Sequence, residues 1–468
     1  MEMPYDLPLM KRGAEIEVLI DRLDRKGRGT GSVDGRTMAV RGGLPGQVVR
    51  VRVTRRRRLE GYVLEVVTRS PHEVDARCPH SGSCGGCAFQ QLAYPVQLTA
   101  LREQVGNAFA AAGLEVVVPE VIGCDPPFGY RNKMDFTFGA TRWVEVGEPE
   151  GVERDFALGM HVSGRFDRVL DIQSCALHFD EADGLLTSAR EVARAHGLPP
   201  WDVLRHTGLL RHLVLRKGFG TGEIMVDLVT SEDAGPSVDR WAEAMLERHP
   251  EVTTLVQNVN TRPASVAFGE RERVIHGPGV ITERIGDLAF NISANSFFQT
   301  NSRQAAVLFS LVSELAAPTG DEVVWDLYCG TGALSLAAAR TAREVWGFEL
   351  VDAAVADARG NAALNDLSNV HFIAGDVLAS LGEGVSLDAP PPDLAIVDPP
   401  RAGLHPKVLS GLLRLAPPRI VYVSCNIHAS APQIATLVAE GGYDVECVRP
   451  VDMFPHTPHV ECVVALRR

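Results

Sequence analysis

Several absences narrow the reading before any motif is considered. Nine cysteines in 468 residues are too few for a disulfide-stapled fold. The chain opens Met1-Glu-Met-Pro-Tyr-Asp, with no basic stretch leading into an apolar core, so no secretory leader is expected. There is no run of 18 uncharged apolar residues for a membrane helix. The longest candidate, Leu327 to Ala339, spans 13 residues and contains Gly330, Thr331 and Gly332. The expected compartment is a reducing cytoplasm, where thiols act as metal ligands or nucleophiles. Internal repeats and low-complexity segments are also missing. Hydrophobic content of 45% and charged content of 22% exclude wholesale disorder. At roughly 100–200 residues per domain, the length predicts several domains.

Basic charge is scarce overall. Lys plus Arg is 46 against 59 Asp plus Glu, a net charge of -13, which by itself argues against a nucleic-acid partner. The distribution reverses that inference for one segment. Residues 11–77 hold 16 basic and 9 acidic side chains, net +7, and the rest of the chain is net -20. The excess peaks at Arg50, Arg52 and Arg55-Arg56-Arg57-Arg58. A solvated basic face is the plain alternative.

Residues 12–70 read as four or five short strands punctuated by glycine, a pattern that predicts a small barrel of a kind often used to bind nucleic acid. Cysteines crowd residues 78–92, and a helix is expected over 95–113. From Gly129 to about Phe298, strand-like runs alternate with loops and helices near 180–196 and 238–248, an α+β pattern. Beyond Phe297 strand and helix alternate regularly, which predicts a parallel sheet covered on both faces. Closing strands at 443–451 and 460–466 suggest a hairpin that gives this sheet one antiparallel edge strand.

Asp326-Leu-Tyr-Cys-Gly-Thr-Gly332 follows a strand and opens a helix, so its glycines let backbone approach a ligand. It is not a dinucleotide fingerprint, because position 335 is Ser, and Gly-Lys-Ser/Thr is absent. Glu349 ends the next strand and is placed to accept from ribose hydroxyls; Asp376 ends the third and is placed to accept from an exocyclic amine. Acids at successive strand ends fit a ligand with ribose and adenine but no pyrophosphate, such as S-adenosylmethionine. Any one of these acids could instead cap a helix.

Asp398-Pro-Pro-Arg401 ends a buried strand. An aromatic in place of Arg401 would have pointed to amino-group methylation. Cys425 follows the next strand on the same rim, either as a thiolate nucleophile or as a small buried residue. Methylating a pyrimidine at C5 requires a thiolate at C6 and a base for the C5 proton. Glu461, at the start of the last strand, is the candidate base.

Seven motifs in order carry a resemblance over nearly the whole chain. They are Cys78-x5-Cys84-Gly-Gly-Cys87, Tyr130-Arg-Asn-Lys-Met134, Asn295-Ser-Phe-Phe-Gln-Thr-Asn301, Asp326-Leu-Tyr-Cys-Gly-Thr-Gly332, Asp398-Pro-Pro-Arg401, Ser424-Cys-Asn426 and Met453-Phe-Pro-His-Thr-x-His-Val-Glu461. The sequence resembles the RNA uracil-C5 methyltransferases, in the 23S ribosomal RNA branch with a TRAM barrel and an iron–sulphur cluster. The resemblance implies a multidomain α/β protein. A TRAM-like RNA-binding barrel would occupy 1–77 and a central α+β domain with the cluster 78–297. A Rossmann-like S-adenosylmethionine-dependent domain would occupy 298–468, with the helix near 95–113 packed on it.

The resemblance also implies roles. Cys425 would attack uracil C6 and Glu461 would take the C5 proton. Gln299, Tyr328, Gly330, Glu349, Asp376 and Asp398 would contact S-adenosylmethionine. Phe297, Gln299, Arg131 and Lys133 would contact the substrate, with Phe297 and Gln299 lining a flipped uracil. Cys78, Cys84, Cys87 and Cys175 would hold a 4Fe-4S cluster in a structural role, with zinc on the same thiolates as the alternative. Cys124, Cys329, Cys447 and Cys462 read as buried small residues. The implied partner is RNA, ribosomal RNA above transfer RNA, with no membrane, no obligate protein partner and a monomeric state. Two departures stand out. Ile427-His428 replaces the proline usual after the Asn of the nucleophile motif, and Ala333 stands where relatives often carry Asn. Cytosine-C5 methylation is disfavoured because position 401 is Arg, where such enzymes carry a second cysteine. A non-catalytic iron–sulphur RNA-binding protein would not need Cys425 and Glu461.

Overall fold

The computed structural model describes residues 11–55, 57–145, 147–377, 381 and 389–468. Arg56 of the arginine run and the opening Met1 to Asp6 lie outside the described residues.

The first sheet has six strands: Glu15–Leu19, Arg22–Leu23, Gly29–Val33, Arg36–Arg41, Val48–Arg55 and Glu60–Thr68. Period-two alternation turns Val18, Met38, Val40, Val49, Val51 and Val53 into one core. The sheet curls until the Asp21 N–H reaches the Thr30 carbonyl at 2.8 Å. Gly31 makes that approach possible, because a Cβ there would stand 2.1 Å from the Leu19 carbonyl oxygen. The basic excess is partly met within this sheet. Arg50 pairs with Glu17 and Glu65, and Arg52 pairs with Glu15. These pairs are exposed, so each contributes only about 0–1 kcal/mol.

The second sheet runs Arg271–His276, Val252–Val259, Ile224–Thr230, Leu210–Lys217, Lys133–Gly139, Ala157–His161, Val169–Asp171, Arg142–Trp143. Helices Ala182–Ala195 and Gly235–Arg248 pack on it through Leu185, Leu186, Val238 and Trp241. A hairpin, Val280–Ile285 with Leu288–Ser293, leads into the third unit.

The third sheet has the order Val370–Ala374, Glu344–Glu349, Val323–Leu327, Leu394–Val397, Arg419–Ser424, Glu461–Arg467, Asp444–Val451. The first five strands are parallel. The chain order reverses between Val323–Leu327 and Leu394–Val397, which makes the loops after these strands the expected ligand site. One expectation is corrected here: the antiparallel strand is not at the edge. Glu461–Arg467 is inserted antiparallel between Arg419–Ser424 and Asp444–Val451. That insertion pairs Ser424 with Cys462, so the strand that begins at Glu461 starts beside the strand that ends before Cys425. Helix Tyr94–Ala111 also belongs to this unit by packing. Its Leu101, Val105 and Phe109 share a core with Trp325, Tyr422 and Leu437. Among the described residues, no helix is long and apolar enough to cross a membrane.

Candidate active site

A cavity of about 990 Å³ opens at the carboxyl ends of the parallel strands, at the upper end of the roughly 300–1,000 Å³ usual for ligand sites. The glycine loop forms its floor. Tyr328, Gly330 and Gly332 have φ of 68°, 54° and 86°. Gly332 is the position with no alternative, because a Cβ would lie 2.9 Å from the Phe372 ring at a left-handed φ. A Cβ at Gly330 would meet nothing within 4 Å, so its backbone faces open space.

Asp326 is fully buried. Its Oδ2 accepts from Ser335 Oγ at 2.5 Å, and its Oδ1 has no partner. Burial pushes this carboxyl up to about 7, and the nearby Asp398 and Glu349 add to the effect. An orphaned buried acceptor at a cavity wall fits a ligand that brings its own donor or positive charge. Glu349 accepts from the Gly330 N–H at 3.1 Å and the Val351 N–H at 2.9 Å. Each oxygen keeps a lone pair for a ribose hydroxyl. Asp376 and Gln299 line the same cavity. So do Leu350 and Val351, which are 64% and 54% exposed and offer apolar surface for a planar base. Sequence reasoning missed these two. Their signal was an apolar pair placed just after the acid at a strand end.

At the far end of the cavity stand Asp398, Arg401, Cys425 and Glu461. Cys425 follows the strand that ends at Ser424, and Ser424 Oγ pairs with Ser430 Oγ at 2.7 Å. Asn426 Nδ2 donates to the Arg401 carbonyl at 2.8 Å, which ties the cysteine loop to the Asp-Pro-Pro-Arg loop. Ile427 is buried and begins helix Ile427–Gly441 directly, so the residue that replaces the usual proline fills core. Burial pushes Glu461 up to about 8; Asp398 raises it further and Arg401 opposes. Burial alone raises Asp398 to about 7. The Cys425 thiol is pushed up to about 11, by burial first and then by Glu461 and Asp398, again opposed by Arg401.

The Tyr130–Lys133 segment divides its work. Tyr130 Oη donates to the Pro455 carbonyl at 3.2 Å, and Asn132 Nδ2 donates to the Gln299 carbonyl at 2.9 Å. Arg131 lies over the Phe454 ring and lines the cavity. Lys133 does not reach this cavity; it pairs with Asp135 and lines the cysteine site instead. Phe297 is 72% exposed at the cavity wall.

Cys78, Cys84, Cys87 and Cys175 line one separate cavity of about 240 Å³. Among the described residues no group of three His, Cys, Asp or Glu could hold a metal ion as placed. Two of the thiols accept hydrogen bonds from neighbouring groups. Gly86 N–H donates to Cys84 Sγ at 3.3 Å and Gln90 Nε2 to Cys87 Sγ at 3.5 Å. Burial raises Cys84 to about 11 and Cys87 to about 12. Of the four remaining cysteines read as small buried residues, Cys447 is only half-buried, because its strand is at the sheet edge.

A seven-stranded sheet of this order, with acids at three strand ends and an orphaned carboxylate beside the glycine loop, defines an S-adenosylmethionine-dependent methyltransferase. The family described as tRNA (uracil-5-)-methyltransferase matches residues 280–468, and the TRAM domain matches residues 10–63. An uncharacterized RNA methyltransferase of Porphyromonas gingivalis is 39% identical, over 96% of this chain and 99% of its own. Another from Caldanaerobacter subterraneus is 38% identical, over 98% of this chain and all of its own. The crystal structure of Pyrococcus abyssi tRNA (uracil-54, C5)-methyltransferase with S-adenosyl-L-homocysteine is similar at 30% identity and a TM-score of 0.75. The likeness covers 96% of this chain and 100% of that one. The chain belongs to the RNA (uracil-5-)-methyltransferase family.

Proposed function

We propose that this enzyme forms 5-methyluridine in structured RNA through a covalent adduct between Cys425 and uracil C6. The observation that carries this reading is that Cys425 and Glu461 line the same cavity as the acids of the donor site. S-adenosylmethionine, when bound, supplies the methyl group. Cys425 gives up its proton to water and its sulphur adds to C6, which makes C5 nucleophilic. After methylation Glu461 takes the C5 proton, the Cys425 sulphur leaves C6, and the ring double bond returns. A base must leave its stack to reach Cys425, and Phe297 and Arg131 line the same cavity.

Gln299, Tyr328, Gly330, Glu349, Asp376 and Asp398 would hold the donor. The four cysteines would hold a 4Fe-4S cluster. What supports a shared ligand is that all four thiols line one cavity, and zinc on the same thiolates is the alternative. Domain limits near residues 77 and 297 belong to this reading. The protein would act as a monomer in the cytoplasm.

Ribosomal RNA is the substrate we favour, on the strength of the barrel together with the cysteine set. Transfer RNA is the second reading, because the pyrococcal relative acts on transfer RNA and matches 96% of this chain. Mapping 5-methyluridine in ribosomal and transfer RNA of a strain lacking the gene separates them. A position lost only from transfer RNA would overturn the ribosomal assignment, and loss of a different nucleoside would overturn uracil C5.

A further inference from the structure

Glu461 opens a strand, and the turn that leads into it is gripped by the rest of the molecule at one residue. His456 has φ of 68° and is buried. Its N–H donates to Gln97 Oε1 at 3.0 Å, and its Nδ1 lies 3.1 Å from Gln97 Nε2. Gln97 Nε2 can only donate, so Nδ1 accepts and Nε2 carries the ring proton, donated to the Pro127 carbonyl at 3.1 Å. The His456 carbonyl accepts from the Ala88 N–H at 2.9 Å, one residue after Cys87. Phe128 stacks on the imidazole at 4.4 Å. Gln97 is itself buried on helix Tyr94–Ala111 and fixed by the Leu92 carbonyl at 2.7 Å. Neither residue touches the cavity, so this polar network is not explained by ligand binding.

We propose that Gln97 and His456 are positioning residues for the C5 proton transfer: by locking the turn before Val460, they fix where the Glu461 carboxyl stands. The inference rests on Glu461 being the base. A carboxyl on the first residue of a strand loses its alignment when the turn leading into that strand relaxes, and a misplacement of about 1 Å can cost on the order of 100-fold in rate. Addition of Cys425 to C6 does not pass through this turn and is expected to survive.

The test uses the full-length Gln97→Met protein, which keeps the side-chain length and removes both polar contacts. Total RNA from a strain lacking the gene serves as substrate, and RNA from such cells grown in 5-fluorouracil serves as trap. Turnover is expected to fall by roughly 10- to 100-fold while a denaturation-stable RNA–protein adduct builds up on the ordinary RNA. The fluorinated RNA, which has no C5 proton to lose, is expected to trap Gln97→Met at the wild-type rate. His456→Asn keeps an acceptor and tolerates a left-handed φ, so it should show the same pattern more weakly; it carries the test if Gln97→Met does not fold. Unchanged turnover, or parallel loss of both adducts, overturns the positioning role. If Glu461→Gln itself builds no adduct, the base assignment fails instead.

Discussion

Burial and the neighbouring Glu461 carboxyl raise the Cys425 thiol, so the proposed nucleophile keeps its proton at neutral pH. Burial is the larger cause, and Arg401 is the counterweight at both groups. The pair is therefore held short of reactivity until substrate and donor change the local charge.

Replacing either member should separate the steps. Cys425→Ala is expected to abolish turnover and adduct together, and retained turnover would end the covalent mechanism. Glu461→Gln should reduce turnover by about 10²–10⁴-fold while the adduct accumulates, read on denaturing gels.

The pH dependence follows from the raised carboxyls. As the proposed base, Glu461 would have to be ionised, and burial pushes it up to about 8, so turnover should climb from pH 6 toward pH 8. S-adenosylmethionine carries a positive sulphonium, which favours the ionised forms of Asp326 and Asp398, both raised to about 7. Binding at pH 7 should therefore release protons. Calorimetry in buffers of different ionisation enthalpy measures this, and proton uptake would contradict the electrostatic picture.

Asp398 should also cost stability at alkaline pH. Its folded value of about 7 lies above the ordinary 3.8, so the folded state holds its proton more tightly than the unfolded chain does. Stability is then lost as pH rises from about 4 through 7. Asp398→Asn is expected to raise the melting temperature at pH 8 by a few degrees and to weaken donor binding. A lower melting temperature would show that the burial cost is met by interactions of the ionised form.

Gly332→Ala would place a Cβ 2.9 Å from the Phe372 ring at φ of 86°. Overpacking of this kind typically costs about 1–3 kcal/mol, and the left-handed backbone adds to it. The expected result is a lower melting temperature together with weaker donor affinity in equilibrium dialysis.

Cys87→Ser, purified without oxygen, should lose iron and acid-labile sulphide in parallel. Wild-type protein with zinc and neither of these would replace the cluster by a single ion.

Much of the site was legible because its chemistry sits at strand ends. Asp326, Glu349, Asp398 and Cys425 each follow an apolar run, and the alternation of strand and helix places such positions on one rim. What the sequence hid were contacts across distance. Gln97 reads as an ordinary helix residue, yet it meets His456 across 359 positions. Lys133 shares a motif and the cysteine cavity with Arg131, but it pairs with Asp135 in its own strand and does not line the larger cavity. Pairing order was hidden too. A hairpin motif does not say which of its strands joins the sheet, and here the later one did.

Helix Tyr94–Ala111 has a consequence for how the chain reaches this state. Its apolar face, Leu101, Val105 and Phe109, packs with strands that begin at Val323, more than 200 residues later. During synthesis that face has Val118 and Val121 of the following segment, but most of its core is missing until the whole eight-stranded sheet has been made. Pairings of such high sequence separation fold slowly and leave apolar surface waiting. The middle of the molecule is thus an excursion from a body whose two halves must find each other afterwards. Refolding should show a slow phase that ends when this helix docks.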